Sequence, residues 1–185
     1  MERIDDIDFI LAGGISVDPN KEDERDQHRS TSHYFSDKKA LLIGLPGAFT
    51  PTCTVQMLPD YELLFDKFKA IGIDAIYCTA VNDDYVMEAW ARAEKLKNIE
   101  MIPDGNGELA ESLGMLVKKE NKGMGNRSWR YVMYVDDGEI IREWSENGKA
   151  HNSPVDPYED TQADRVYKDL CDDFGIQRED LIEEH

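Results

Sequence analysis

The sequence predicts an α/β fold in which a central mixed β-sheet is flanked by helices on both faces. Apolar runs short enough for buried strands alternate with stretches of helical periodicity through the first half of the chain. Further on, two β-rich runs flank the turn residues Asp136-Asp137-Gly138, which indicates a hairpin. Alternating strands and helices favour parallel pairs joined by right-handed crossovers, and the hairpin adds antiparallel strands.

The N-terminal segment, residues 1–38, is charged and irregular. Ile7–Leu11 and Ile15–Val17 are candidate edge strands, whereas the composition from Pro19 to Ser30 predicts a solvated loop with an exposed His28. Residues 175–185 form an acidic tail. Because the length suits one core and the composition shows no second one, we expect a single domain over residues 1–185.

The first buried strand is predicted from Leu41 to Leu45, and Pro46-Gly47 ends it. A helix should follow with Thr50 as its N-cap and Pro51 at its first position, where the missing N–H costs nothing. Pro59 should kink this helix and Gly72 should end it. One apolar face, spaced by three and four residues, should pack on the sheet: Met57, Tyr61, Leu64, Phe65 and Phe68.

The remaining elements follow in the order strand, helix, strand, short helix, hairpin, helix. Asn82-Asp83-Asp84 should cap the second helix, whose predicted apolar face is Val86, Ala89, Trp90, Ala93 and Leu96. Asn121–Asn126 is predicted to be a glycine-punctuated loop. This order is thioredoxin-like in outline. The predicted bounds are Ile73–Val81, Tyr85–Leu96, Ile99–Ile102, Glu108–Leu113, Trp129–Val135 paired with Glu139–Trp144, and Thr161–Phe174.

The charge excludes some partners. Asp and Glu number 39 against 21 Lys and Arg, for a net charge of −18, which argues against nucleic acid or an anionic membrane surface as a partner. Solubility, adaptation to a salty cytoplasm and an acidic docking face all remain open as reasons for the acidity. No apolar run is long enough to span a membrane, and the N-terminus lacks the features of a signal peptide. We therefore expect a cytoplasmic protein.

The three cysteines, Cys53, Cys78 and Cys171, form neither a disulfide framework nor a zinc-binding spacing, so we expect no metal or cofactor. Catalysis, redox sensing and packing remain open for each of them. Cys53 differs from the others because it falls in the first turn of a helix, where unpaired N–H groups and the helix dipole favour a thiolate. The hydroxyl of Thr50, one turn earlier, can face its sulfur.

The segment from Pro46 to Cys53, PGAFTPTC, resembles the peroxiredoxin motif of Pro, three residues, Thr, two residues and the peroxidatic Cys, in the wording of the atypical, type-five branch. The resemblance covers roughly Tyr34 to Leu170 and is especially close to the peroxidase half of bacterial peroxiredoxin–glutaredoxin fusions. Its other motifs include Val81-Asn82-Asp83, Ile102-Pro103-Asp104-Gly105, Arg127-Ser128-Trp129-Arg130-Tyr131 and Asp156-Pro157-Tyr158.

This resemblance implies a thiol peroxidase that reduces hydrogen peroxide and alkyl hydroperoxides through a cysteine sulfenic acid. In that reaction Cys53 attacks the peroxide, Thr50 offers it a hydroxyl, and Arg130 stabilises the thiolate and the leaving oxygen. Arg130 also stands out by itself, because it begins an apolar strand where an arginine is costly to bury. The remaining implied site residues are Pro46, Gly47 and Phe49, with backbone N–H groups at Cys53 and near Gly47.

The sequence departs from the type-five pattern at Met57, where that branch commonly has His. We expect the reaction to survive, because the helix end and Arg130 still favour the thiolate. Gln56 is a candidate for steadying Arg130, and Arg127 is expected to be either a supporting partner or a surface residue.

The step that restores the sulfenic acid is open at this stage. Cys78 lies inside an apolar strand and is most simply a core residue, while Cys171, at the edge of the last helix's apolar stripe, is a core-edge residue or a resolving thiol. Without a resolving thiol the reductant is external, and the resemblance points to glutathione with a separate glutaredoxin, since too few residues follow Phe174 for a glutaredoxin domain. Thioredoxin is the other candidate. We predict a one-cysteine cycle.

Two other functions compete with the peroxidase. A peroxide sensor or redox-switched binding protein would use Cys53 oxidation without rapid turnover. A disulfide oxidoreductase is disfavoured because the chain has no CxxC motif. The resemblance also implies a homodimer, and the apolar Phe49 beside the site is compatible with one.

Overall fold

The computed structural model describes residues 2–11 and 27–176, and it has the predicted α/β architecture. Its strands are β1 (Glu2–Arg3), β2 (Asp8–Leu11), β3 (Gln27–Ser30), β4 (Lys39–Gly44), β5 (Ala75–Ala80), β6 (Glu100–Pro103), β7 (Leu116–Lys118), β8 (Asn126–Ser128), β9 (Tyr131–Asp136) and β10 (Glu139–Ser145). Its α-helices are α1 (Thr31–Phe35), α2 (Leu58–Leu63), α3 (Phe65–Ala70), α4 (Asp84–Ala93), α5 (Glu108–Ser112) and α6 (Ala163–Phe174).

Six strands form the central mixed sheet in the order β1-β10-β9-β4-β5-β6. β4, β5 and β6 run parallel, as the alternation of strands and helices predicted. β9 pairs antiparallel with β4 and with β10, so the predicted hairpin is confirmed and joins the sheet beside its first buried strand. In the ladder between β4 and β9, Gly44 is the direct partner of Tyr131.

Alternate residues of the buried strands face two separate cores, which confirms helices on both faces of the sheet. In β4, Leu41 and Ile43 join the core that contains Cys53, whereas Ala40 and Leu42 join the opposite one. This follows from the two-residue side-chain period of a strand. The first core receives side chains from α2, α3, α4 and α6, and the second receives them from α1 and α5.

The N-terminal region is more ordered than the sequence predicted. β2 lies within the predicted Ile7–Leu11 strand, but Gln27–Ser30, predicted as loop, pairs with it as an antiparallel strand. The short helix α1 that follows was not predicted, although its Tyr34 and Phe35 are buried in the second core. The predicted strand Ile15–Val17 lies outside the described residues.

The helix that carries Cys53 is interrupted twice. Cys53–Met57 form a π-helical turn, and the regular helix α2 begins after it with Pro59 in its first turn. Pro59 has no N–H to donate to an earlier turn, and the irregularity predicted at this residue lies directly before it, where the N–H of Leu58 bonds to the carbonyl of Cys53 five residues back. A second break lies at Leu64, whose backbone leaves α-helical geometry between α2 and α3. The helix ends before Gly72, as predicted, where φ is +97°.

Two smaller differences concern the second half of the chain. α4 is capped by Asp83, whose side chain accepts from the Val86 N–H at 2.9 Å, but it buries Met87 and Trp90 rather than the full predicted stripe. The predicted loop Asn121–Asn126 ends in β8, which pairs with β7 in a short antiparallel ribbon. Within residues 2–11 and 27–176, none of the helices is long and apolar enough to cross a membrane.

Candidate active site

Cys53 and Arg130 come together because β4 ends at the same end of the sheet at which its antiparallel neighbour β9 begins. β4 ends at Gly44 and leads through Pro46-Gly47 to the turn that carries Cys53, while Arg130 directly precedes Tyr131, the partner of Gly44. Gly44 permits this pairing, since a Cβ there would lie 1.9 Å from Cε1 of Tyr131. The two site residues are therefore adjacent although they are 77 residues apart in the sequence.

The guanidinium of Arg130 holds the Cys53 sulfur. Both side chains are buried, with 0% of Cys53 and 1% of Arg130 exposed. Nη1 of Arg130 donates to Sγ of Cys53 at 3.4 Å and also to Sδ of Met57 at 3.4 Å. A buried guanidinium in contact with the sulfur can stabilise negative charge that develops there. The sequence-predicted pair is thus in direct contact, and the arginine steadies itself on Met57 rather than on Gln56, which is exposed.

The other donors of Arg130 fix its orientation. Nε donates to the carbonyl of Pro157 at 3.0 Å, and Nη2 forms an ion pair with Oδ2 of Asp156 at 2.9 Å. The ring of Tyr158 lies 5.9 Å from the guanidinium carbon. Burial alone would lower the pKa of Arg130, but the Cys53 sulfur and the Asp156 carboxylate outweigh it, so that the pKa is raised. Arg130 therefore stays charged beside the sulfur.

The loop that supplies Asp156 and Pro157 is anchored by a buried carboxylate. Oε1 of Glu146, which is 3% exposed, accepts from the N–H of Glu159 and from both the N–H and the hydroxyl of Thr161, at 2.7 to 2.9 Å. The N–H of Glu146 donates to the carbonyl of Arg130 at 3.1 Å. One residue therefore ties the loop to the backbone of the arginine that the loop contacts. Nothing in the sequence singled out Glu146.

Pro46-Gly47 and Thr50 belong to the turn that leads from β4 to Cys53. The Thr50 hydroxyl donates to the carbonyl of Gly47 at 2.7 Å instead of capping the helix with its oxygen. Its hydrogen is committed there, so its lone pairs remain as acceptors. The N–H of Ala48, next to Gly47, donates to Oδ1 of Asn82 at 3.0 Å, which holds the turn against the end of β5.

Phe49 lies in the same turn with its side chain exposed and a backbone φ of +60°. Such a conformation is uncommon for a bulky residue and is typical of strained positions next to functional sites. Its ring centroid lies 6.3 Å from that of Trp90.

Lys119 is a site residue that the sequence did not reveal. Its side chain is buried, and Nζ lies 3.8 Å from Oδ1 of Asp156 and 5.5 Å from the ring centroid of Trp129. Burial lowers the pKa of Lys119, while the carboxylate of Asp156 opposes that shift. The residue lies between β7 and a short 3₁₀ turn in a run of charged residues, where no sequence feature separates it from the exposed Lys118.

Cys78 and Cys171 are both free and fully buried in the core that also contains Cys53. Cys171 belongs to the buried face of α6 itself rather than to its edge. Burial, and to a smaller extent the nearby Cys53, raises the pKa of Cys78, which keeps it a neutral thiol. Arg127 is half-buried, and it donates to the carbonyls of Met124 and Val81 at 2.9 and 3.4 Å, beside Gly47.

Comparison with known proteins identifies relatives along most of the chain. The family model described as Redoxin matches residues 17–161. A peroxiredoxin of Sinorhizobium fredii is 50% identical over 130 residues, which are 70% of this chain and 69% of the relative. A hybrid peroxiredoxin of Haemophilus influenzae is 45% identical over 148 residues, which are 80% of this chain and 60% of that protein.

Solved structures are similar over nearly the whole chain. The Plasmodium falciparum antioxidant protein, described as a 1-Cys peroxiredoxin, has a TM-score of 0.83 at 36% identity, covering 92% of this chain and 98% of that one. Reduced Prx3 from Vibrio vulnificus in complex with hydrogen peroxide has a TM-score of 0.77 at 30% identity, covering 91% and 93%.

Proposed function

The chain belongs to the peroxiredoxins, in their atypical type-five branch, and is therefore a thiol-dependent peroxidase, and on this premise we propose that Cys53 is the peroxidatic cysteine and Arg130 its electrostatic partner. The observation that carries the assignment is the 3.4 Å contact between Nη1 of Arg130 and Sγ of Cys53, both buried. Cys78 and Cys171 lack such a cation among their described contacts.

In the proposed reaction the Cys53 thiolate attacks one oxygen of a hydroperoxide. A sulfur–oxygen bond forms as the oxygen–oxygen bond breaks, so the sulfur is oxidised to a sulfenic acid and the peroxide is reduced to hydroxide or alkoxide, which takes up a proton. Arg130 stabilises the thiolate and then the negative charge that develops on the departing oxygen. The Thr50 hydroxyl already donates its hydrogen to the carbonyl of Gly47. Its oxygen therefore accepts a hydrogen bond from the O–H of the hydroperoxide and orients the substrate.

We propose hydrogen peroxide and small alkyl hydroperoxides as substrates. The sulfur is fully buried, which favours substrates that are narrow at the reacting end. We propose that such a molecule approaches the sulfur beside the turn that contains Pro46, Gly47 and Phe49. A related structure is described as a complex with hydrogen peroxide, which supports this choice.

We further propose a one-cysteine cycle in which glutathione, with glutaredoxin, restores Cys53. Glutathione attacks the sulfenic sulfur, water leaves, and a second thiol then removes the bound glutathione as a disulfide. Burial raises the pKa of Cys78 and keeps it a neutral thiol, which supports an external reductant, as does the similarity to a protein described as a 1-Cys peroxiredoxin. Similarity to a hybrid peroxiredoxin is also consistent with this proposal.

The experiment is steady-state peroxide consumption by wild type, Cys53→Ser, Cys78→Ser and Cys171→Ser, with glutathione/glutaredoxin and with thioredoxin side by side. We expect turnover with glutathione/glutaredoxin in all proteins except Cys53→Ser. An active Cys53→Ser protein would overturn the assignment of the cysteine. One stoichiometric oxidation without turnover in either system would instead indicate a sensor.

Intact mass after one equivalent of peroxide tests the cycle separately. We expect a sulfenic acid that glutathione converts to a single mixed disulfide. An internal disulfide that disappears in Cys171→Ser would contradict the one-cysteine cycle and would make Cys171 the resolving thiol.

We also propose that the protein forms a homodimer through the surface at Phe49. This side chain is 54% exposed beside the site, and aromatic side chains such as phenylalanine are enriched at protein–protein interfaces. Light scattering should give twice the monomer mass for wild type and the monomer mass for Phe49→Asp. A wild-type monomer at all accessible concentrations would refute the proposal.

A further inference from the structure

The buried cation Lys119 has no part in the reaction as described so far. It is 3% exposed, and lysine is rarely buried to this extent without a partner. Its backbone is held by its own turn, with the N–H donating to Gly125 and the carbonyl accepting from Lys122 and Met124. This fixed backbone keeps the ammonium near Asp156, and Trp129 covers it on one side.

Asp156 opposes the function of the arginine that it orients. Its carboxylate pairs with Nη2 of Arg130 at 2.9 Å, while Nη1 of the same guanidinium contacts the Cys53 sulfur. A carboxylate so close to the arginine offsets the positive charge that the sulfur experiences. With Arg130 and Asp156 alone, the group would be neutral while Cys53 is a thiol and would carry one negative charge after ionisation.

Lys119 changes the net charge around the Cys53 sulfur. With its charge included, the group formed by Arg130, Asp156 and Lys119 carries one positive charge while Cys53 is a thiol, and the thiolate makes the whole group neutral. Other titratable groups lie near these residues. Lys122 is near Lys119, Cys78 near Cys53 is a neutral thiol, and the hydroxyl of Tyr158, whose ring lies beside Arg130, donates to Oδ2 of Asp60 at 2.9 Å.

We propose that Lys119 is a positioning residue for peroxide reduction, which neutralises Asp156 so that the charge of Arg130 remains available to the Cys53 sulfur. Asp156 can then orient the guanidinium without cancelling its effect. The inference rests on the proposed role of Cys53 as the peroxidatic thiol.

Two pH profiles test this proposal. The first is that of the second-order rate constant for hydrogen peroxide under single turnover. The second is that of the ultraviolet thiolate absorbance, after subtraction of the absorbance of the corresponding Cys53→Ser protein. We expect Lys119→Met to move the midpoint of both profiles upward by about one pH unit and Asp156→Asn to move it downward by a similar amount. The double variant should return close to wild type, because both charges of the pair are then absent.

Matched controls separate charge from packing. Lys119→Arg keeps the charge and should keep the wild-type midpoint, and Lys118→Met makes the same chemical change at the exposed neighbouring position and should change nothing. A purely structural Lys119 would lower the plateau rate of Lys119→Met without moving its midpoint, and that result would overturn the inference.

The outcome for Asp156→Asn gives a second refutation that does not depend on how Lys119→Met folds. If its midpoint stays at the wild-type value or rises, the carboxylate does not oppose the thiolate. Failure of the proposed function has a different signature, since peroxide would then still be consumed by the Cys53→Ser proteins.

Discussion

Replacing Arg130 by Met should separate the chemistry of the site from its stability. The arginine donates through Nη1 to Cys53 and Met57, through Nε to Pro157 and through Nη2 to Asp156. Methionine fills a comparable apolar volume but supplies none of these donors. The cysteine therefore loses its cation, while the surrounding core keeps most of its packing.

The effect on the rate should be large. Removing one preorganised donor from the position where charge develops costs about 10²–10³-fold in rate, or roughly 2.7–4 kcal/mol of barrier. Because Arg130 acts on both the thiolate and the leaving oxygen, we expect Arg130→Met to lose about 10²–10³-fold in rate. Arg130→Lys keeps a positive charge but lacks the forked donors of the guanidinium. Its rate should lie between those of wild type and Arg130→Met, at about tenfold below wild type.

The effect on the free energy of unfolding should be smaller. Breaking a buried ion pair typically costs about 3–5 kcal/mol, but the Asp156 side chain is 33% exposed and retains Lys119 nearby. Solvent and the lysine compensate part of the loss, which leaves about 1–2 kcal/mol. Urea unfolding should therefore show a stable protein that reacts slowly.

Single-turnover peroxide consumption measures the rate, and urea titration of the same preparations measures stability. Arg130→Met within about threefold of the wild-type rate, with Cys53→Ser inactive, would show that the helix end alone activates the sulfur and would refute the role of the arginine.

Three further predictions concern single residues around the sheet and the site. Met57→Leu removes the second acceptor of Nη1 at nearly constant volume, so peroxide turnover should fall by at most about tenfold and stability by less than about 1.5 kcal/mol; an inactive variant would show that the thioether is essential. Gly44→Ala forces a Cβ to within 1.9 Å of the Tyr131 ring and should destabilise the fold by about 2–3 kcal/mol in urea titrations, whereas wild-type stability would contradict the close approach. Burial raises the pKa of Tyr77 from 10.0 to about 12, so the native state keeps a proton that the unfolded chain releases. Stability should fall as pH rises from about 10 to 12, by up to about 1.4 kcal/mol per pH unit from this group, and Tyr77→Phe should make the fall shallower; an equal slope would refute the assignment.

The sequence predicted the elements that have strong local signals. Proline and glycine punctuation, the Asp83 cap and the Asp137-Gly138 turn gave the central strands, their helices and the hairpin to within a few residues. These signals are local, because each depends on backbone preferences of neighbouring residues. The family motif added the expected contact between Cys53 and Arg130, which no local pattern contains.

The features that escaped prediction depend on contacts distant in sequence. β3, with the sequence QHRS, has no apolar alternation and forms a strand only because Asp8–Leu11 pairs with it. The π turn at Cys53 and the break at Leu64 interrupt a helical stretch that packs into a single core, and apolar periodicity gives no signal for such interruptions. Lys119 resembles Lys118 in sequence and differs only in what the fold places around it.

The ladder between β4 and β9 also bears on how the family can vary in length. Since Gly44 and Tyr131 are paired across the sheet, the chain between them can gain or lose residues in exposed turns, such as those at Gly72 and Lys95, without changing the geometry around the sulfur. A one-residue insertion within β9 would have the opposite effect, because a shift in register reverses which face each side chain occupies. Insertions and deletions in natural relatives should therefore concentrate in these turns and avoid this pair of strands.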